Sequence, residues 1–151
     1  MQATVDSPLG KITLTEQDGA LIALCFTPDA PDRMPETPLL SLAAAQLTEY
    51  FSGARHSFDL PLHPQGTAFQ QQVWSALRDI PYGQTLSYAQ LAARLHRPRA
   101  CRAVGGANGK NPLPILIPCH RVIGADGGLG GYSCGIEKKR FLLALEQNAM
   151  K

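Results

Sequence analysis

The stretch Ile115-Leu116-Ile117-Pro118-Cys119-His120-Arg121-Val122 joins an apolar run to a cysteine, a histidine and an arginine in immediate succession. Cysteine is a strong nucleophile only as thiolate, and thiolate forms beside positive charge or a histidine. An apolar run can carry such a thiol into a shielded pocket. The competing reading is an ordinary buried strand whose last residue is Cys119. The other cysteines, Cys25, Cys101 and Cys134, are widely spaced and form no CxxC pair. That spacing argues against a disulfide framework or a zinc finger. A zinc set drawn from Cys101, Cys119, His120 and Cys134 is the alternative chemistry for the same residues.

Charge adds a partner. From Met1 to Asp79 the chain has nine acids and four bases; from Ile80 to Lys151 it has three acids and ten bases. Between Ile80 and Ala125 no Asp or Glu occurs, yet Arg94, Arg97, Arg99, Arg102, Lys110 and Arg121 all fall there. Like charges repel, so an unpaired cluster needs a reason, and a polyanionic partner supplies one. A merely solvated basic face is the bland alternative.

The elements that must position these residues fall into two groups. Residues 2–5, 11–16 and 21–26 read as strands separated by Ser7-Pro8-Leu9-Gly10 and Asp18-Gly19. Four prolines between residues 27 and 38 mark a loop, residues 39–51 a helix and residues 57–60 a short strand. Residues 61–66 read as a linker. In the second half, Thr67 can cap a helix with apolar positions at Phe69, Val73, Trp74 and Leu77. Ser87 can cap a helix over 88–95, and Pro98 suits the first turn of a basic helix that stops at Asn108-Gly109. Two short helices around a tight turn make a helix-turn-helix pattern. The glycine-rich segment 126–135 fits no phosphate-binding spacing and leads to a last helix over 136–147. The expected fold is α+β, a small strand and helix lobe at 1–63 followed by a mainly helical lobe at 64–151.

At 44% hydrophobic and 17% charged, the chain can bury a core and should be globular. No apolar run is long enough to span a bilayer, and Met1-Gln2-Ala3-Thr4-Val5-Asp6 is no secretory signal. The expected setting is the cytoplasm, where thiols stay reduced, with no membrane partner.

Several motifs in order resemble the O6-alkylguanine-DNA alkyltransferase family. They are Phe69-Gln70-Gln71-Gln72-Val73-Trp74, Ile80-Pro81-Tyr82-Gly83, Ser87-Tyr88, Arg102-Ala103-Val104-Gly105, Asn111-Pro112, Ile117-Pro118-Cys119-His120-Arg121-Val122 and Gly131-Tyr132-Ser133. The match runs from Thr67 to Glu146 and more loosely through the first lobe. The resemblance implies transfer of an alkyl group from O6 of guanine in double-stranded DNA, and also from O4 of thymine, to Cys119, once per molecule. It assigns His120 as base through a bridging water and Glu146 as the group that holds its tautomer. It implies that Tyr88 donates to the base N3 and that Asn111 fixes the turn behind the site. It sets Ser133 at O6, Tyr132 on the base, the Cys119 and Val122 carbonyls at the exocyclic amine, and Cys134 at the pocket rim.

The target atom lies inside the duplex, so the base must leave the stack. By resemblance Arg102 fills the gap from the minor groove, and the small residues Ala103 and Gly105 suit that narrow groove. Arg94, Arg97, Arg99 and Lys110 are unranked candidates for phosphate contacts. No cofactor, metal or second subunit is implied. Cys134 and Cys101 depart from what relatives often carry there. The rivals are a non-catalytic lesion binder, a cysteine hydrolase using Cys119 and His120, and a helix-turn-helix regulator.

Overall fold

The computed structural model describes residues 1–149, and they form an α+β chain of two compact units that divide after Gln65. In the first unit, β1 (Gln2–Val5), β2 (Ile12–Gln17) and β3 (Ala20–Phe26) make an antiparallel sheet in sequence order. One face of it carries Ala3, Val5, Ile12 and Leu14, all buried. Against this unit's sheet packs α1 (Pro38–Phe51), with Leu40, Ala43, Leu47 and Tyr50 buried at helical spacing. Thr37 caps α1 by accepting from the Leu40 N–H at 3.0 Å, and Pro38 occupies the first turn.

Residues 57–60 do not form the expected strand. The buried Gln46 side chain accepts from the Asp59 N–H at 3.1 Å instead, so a helix satisfies backbone that a sheet would otherwise pair. The adjoining segment, read as linker, pairs with the sheet. Leu21 donates to the Pro61 carbonyl at 2.9 Å and accepts from His63 at 2.8 Å. Proline lacks the N–H, but its carbonyl suffices on an edge.

The second unit begins with α2 (Ala68–Arg78), capped reciprocally by Thr67 and Gln70. Val73, Trp74 and Leu77 are its buried stripe, and the Trp74 indole donates to the Ala107 carbonyl at 2.9 Å. Phe69, expected on that stripe, is only half-buried and carries the Arg97 guanidinium over its ring at 5.4 Å.

Next come β4 (Leu86–Ser87) and α3 (Tyr88–Arg94), the latter capped by Ser87. Arg97 N–H bonds the Ala92 carbonyl at 2.9 Å and His96 N–H the Ala93 carbonyl at 3.0 Å. This double closure needs a left-handed residue, and His96 takes that place at φ 59°. The following helix, α4 (Cys101–Gly109), starts later than Pro98 suggested. Pro98 and Arg99 lie in the turn, and Ala100 stands at the helix start with no side-chain cap.

A 3₁₀ turn (Cys119–Arg121) leads into β5 (Val122–Ile123), which pairs in parallel with β4. The last helix, α5 (Ile136–Ala149), buries Lys139, Leu142 and Glu146 along one stripe.

Candidate active site

The chain carries Cys119 on a closed loop that begins at the end of α4. Asn111 donates its amide to the Ile117 carbonyl at 2.8 Å and accepts from the Leu113 N–H at 2.9 Å. Leu113 and Ile117 are themselves joined at 2.8 Å. Inside this loop Ile115 sits at φ 74°. A β-branched residue there costs of order 1–2 kcal/mol, so the surrounding bonds must impose it. Residues 115–117 are therefore a pinned turn and not a strand. Beyond Pro118 the 3₁₀ turn sends Cys119, His120 and Arg121 in three directions, because it repeats every three residues.

All three of those side chains are buried, and they do different things. Cys119 is 2% exposed. Burial pushes its thiol up to about 11, and the nearby Cys134 adds to that, against hydrogen bonds from Asn111 and Tyr132 that pull it down. His120 is fully buried and its Nε2 lies 2.7 Å from Glu146 Oε2. Burial holds the imidazole below its usual value despite the Glu146 carboxylate, so the ring is neutral near pH 7. A neutral ring donating through Nε2 has its lone pair on Nδ1, and Nδ1 is buried without a hydrogen-bond partner among the described residues.

Arg121 reads differently from its place in the acid-free window. It is buried and paired, so it is no part of an outward basic face. Its Nε donates to Glu146 Oε1 at 2.9 Å and its Nη2 to Oε2 at 3.0 Å, while Nη1 reaches the Ile80 carbonyl at 2.7 Å. Glu146 also accepts from the Gly83 N–H at 3.2 Å, and Gln147 donates to the Gly83 carbonyl at 2.7 Å. The end of α5 thus grips the turn after α2 and the His120 ring through one carboxylate. Burial alone would raise that carboxyl. The bonds from His120 and then Arg121 outweigh it and hold Glu146 well below the usual carboxylate range.

A pocket of about 340 Å³ is lined by Tyr88, Gly105, Asn108, Gly109, Gly131, Tyr132 and Ser133. Its size suits one small planar ligand. Tyr88 is the first residue of α3, set by the Ser87 cap. Its ring lies between two glycines. A Cβ on Gly105 would stand 3.8 Å from the ring, and one on Gly130 would stand 3.2 Å from it. Gly130 also has φ 67°, which favours glycine. Burial raises the Tyr88 phenol, with the nearby Cys119 adding to it, so Tyr88 stays a donor at neutral pH.

Lys139 carried no signal in the sequence beyond one more positive charge. Its side chain is fully buried, and Nζ donates to the Val122 carbonyl at 2.6 Å and the Gly131 carbonyl at 3.1 Å. It ties the glycine-rich segment to β5. Burial lowers its pKa, and Cys119 nearby works against that. A basic residue at i−3 and i−7 to the buried Leu142 and Glu146 was the available clue, since all three share a helix stripe.

The basic candidates separate. Arg102 and Ala103 are exposed in the first turn of α4, and Arg99 is exposed just before it. Gly105, one turn from Arg102, lies at the pocket. Arg94 instead lines a different groove with Gln71, Gln72, Ser75, Asp79 and Arg97. Lys110 is exposed at the end of α4. Among the described residues no three His, Cys, Asp or Glu side chains are placed to hold a metal ion, so the zinc alternative has no assembled ligand set. Nor is any described helix long and apolar enough to cross a membrane.

Comparison with known proteins covers both units. Residues 1–64 match the 6-O-methylguanine DNA methyltransferase, ribonuclease-like domain, and residues 68–148 match the DNA binding domain of the same name. A methylated-DNA–protein-cysteine methyltransferase of Methanosarcina barkeri is 47% identical, with 97% of each chain covered. The constitutive enzyme of that name from Bacillus subtilis is 44% identical over 98% of this chain and 96% of its own. The Mycobacterium tuberculosis OGT solved in complex with DNA superposes with a TM-score of 0.89 at 46% identity, covering 98% of this chain and 93% of that one.

Proposed function

Because the chain belongs to the 6-O-methylguanine DNA methyltransferase family, we propose a single-use alkyl transfer onto Cys119. The chain is a methylated-DNA–protein-cysteine methyltransferase, a DNA-repair enzyme that binds DNA. Cys119 Sγ attacks the alkyl carbon in line with the O6–carbon bond; the S–C bond forms as the C–O bond breaks. The electron pair of the broken bond leaves on the purine. The thiol proton passes through a water to His120 Nδ1, and Glu146 stabilises the imidazolium. Tyr88 donates toward N3 as charge grows on the base, Ser133 meets O6, and Tyr132 packs on the ring. The guanine anion finally takes up a proton and leaves as guanine.

The observation that carries this reading is the buried His120–Glu146 pair behind a buried thiol. The pair leaves the acceptor nitrogen of His120 unspent. A thioether has a poor leaving group, and the residues described around this site offer no second base to remove the alkyl group. The reaction is therefore stoichiometric.

Access requires base flipping. Arg102 stands exposed one helical turn from Gly105 at the pocket, a spacing that lets one helix fill the vacated stack and receive the base. Ala103 and Gly106 beside it are small enough for a minor groove. Arg99 and Lys110 contact phosphates, with Arg94 farther out. O4-alkylthymine, with the same electrophilic carbon, is a second substrate. The protein acts as a monomer in the cytoplasm.

The test is intact-mass analysis after mixing with an excess of duplex containing O6-methylguanine. The expected result is one methyl per molecule on the Cys119 peptide and no further transfer. A methyl on any other residue, no methyl, or continued turnover would each defeat the proposal.

A further inference from the structure

Asn108 is 4% exposed on the inner face of α4 and lines the pocket beside Tyr88, Tyr132 and Ser133. Its amide nitrogen donates to the Cys119 carbonyl at 3.4 Å. The reverse orientation would set two carbonyl oxygens against each other, so the amide's direction is fixed by chemistry. Its Oδ1 is then left buried with no hydrogen-bond partner among the described residues. Buried acceptors are rarely left unpaired, and one at a ligand pocket calls for a donor from the ligand.

The reaction above supplies a base with one kind of donor to offer. Alkylation at O6 removes the proton from N1, so the pairing edge of the purine keeps only its exocyclic 2-amino group as donor. That group has two hydrogens. Of the two backbone carbonyls expected to meet it, Val122 already accepts one bond from Lys139 at 2.6 Å and Cys119 one from Asn108 at 3.4 Å, so each has one lone pair engaged. Asn108 Oδ1 is buried with both lone pairs unengaged among the described residues.

We propose that Asn108 is a specificity-determining residue that accepts a hydrogen bond from the 2-amino group of the flipped O6-alkylguanine, while its amide holds the Cys119 carbonyl in place. This rests on the alkyl transfer proposed above.

The experiment compares single-turnover methyl transfer from duplexes carrying O6-methylguanine or O6-methylhypoxanthine, which lacks the 2-amino group. Asn108→Leu keeps the bulk and removes the acceptor. Asn108→Asp keeps the acceptor and removes the donor. The expected result is that the unsubstituted protein prefers O6-methylguanine by about tenfold, the worth of one hydrogen bond. Asn108→Leu abolishes that preference, and Asn108→Asp retains it whatever its absolute rate. The ratio within one protein cancels any general loss of folding or DNA binding. A preference that survives in Asn108→Leu, or vanishes equally in Asn108→Asp, overturns the assignment. Absence of any transfer to Cys119 by the unsubstituted protein would instead overturn the reaction itself, and this reading with it.

Discussion

Replacing Glu146 by glutamine asks the buried carboxylate to give up one oxygen while its surroundings stay the same. Four donors converge on it: His120 Nε2 at 2.7 Å, Arg121 at 2.9 and 3.0 Å, and the Gly83 N–H at 3.2 Å. A glutamine turns an N–H into that cluster of donors whichever way it is rotated. Neutralising one partner of a buried ion pair strands the other charge, at a cost of roughly 3–5 kcal/mol. The amide also pushes the His120 proton from Nε2 to Nδ1, which removes the acceptor lone pair. Loss of a positioned general base slows transfer by roughly 10²–10⁴. The pH dependence has a definite sign. The folded carboxyl titrates well below the usual range, so its stabilising effect is complete above the unfolded value of about 4.3 and fades as pH falls below it. By linkage the advantage of the native carboxylate over the Glu146→Gln variant shrinks by about 1 kcal/mol at pH 3.5 and about 2 kcal/mol at pH 2.5. Urea unfolding of both proteins at pH 7.5, 3.5 and 2.5 reads the stability, and single-turnover transfer reads the rate. A loss under about 1 kcal/mol at pH 7.5, or a loss unchanged at pH 3.5, would refute the clamp. Full retention of rate would refute the tautomer role.

At pH 7.5 iodoacetamide is expected to label Cys119 at least about 100-fold more slowly than an unburied thiol, because the rise of its pKa from 9.0 to about 11 removes that much thiolate; equal labelling of Cys119 and the exposed Cys25, read by peptide mass, counts against a buried neutral thiol. Lys139→Met removes the buried Nζ bonds to the Val122 and Gly131 carbonyls and should cost roughly 1.5–3 kcal/mol. It should also move the pH dependence of Cys119 labelling to higher pH, whereas an unshifted profile would leave Lys139 a purely structural tie. Arg102→Ala is expected to slow repair of duplex DNA far more than reaction with free O6-benzylguanine, and equal losses on both substrates would remove its role in base flipping.

Local signals were strong where one residue decides a boundary. Thr67, Ser87 and the prolines at 27–38 punctuate the chain in sequence, and the caps and loop follow them. Pro98 misled because a proline in a first turn looks the same as one in a turn before a helix, and the left-handed closure at His96 took up the intervening residues. Residues 57–60 alternate like a strand, yet alternation cannot reveal that Gln46, eleven positions earlier than Ser57, offers its amide to that backbone. In the site, Cys119 and His120 are visible as neighbours in sequence. Their bonding is not. Glu146 meets His120 across 26 positions and Lys139 meets Val122 across 17. Only a resemblance could suggest the first, and for the second the one clue was that Lys139 shares a helix stripe with Leu142 and Glu146. Arg121 was the instructive error. In a window without acids it looked unpaired, because its carboxylate lies outside that window on the last helix.

That pairing bears on how a protein that spends its thiol once, as proposed, avoids wasting it. At rest the thiol sits near 11 while the imidazole beside it in sequence is pushed below its ordinary 6.5. Moving a proton from one to the other is then uphill. A stray electrophile meets a closed thiol in a buried turn. In the proposed reaction the flipped base changes those terms by filling the pocket, placing the alkyl carbon in line with sulfur, and accepting donors from Tyr88 and Ser133 as it departs. Glu146 can then favour the imidazolium at the moment it forms, because Arg121 and the Gly83 N–H already keep that carboxylate ionised and fixed. The same bonds that make the site stable without substrate supply the oriented charge that transfer needs. Activation is therefore tied to occupancy, as the proposed use of an acceptor that is not regenerated requires.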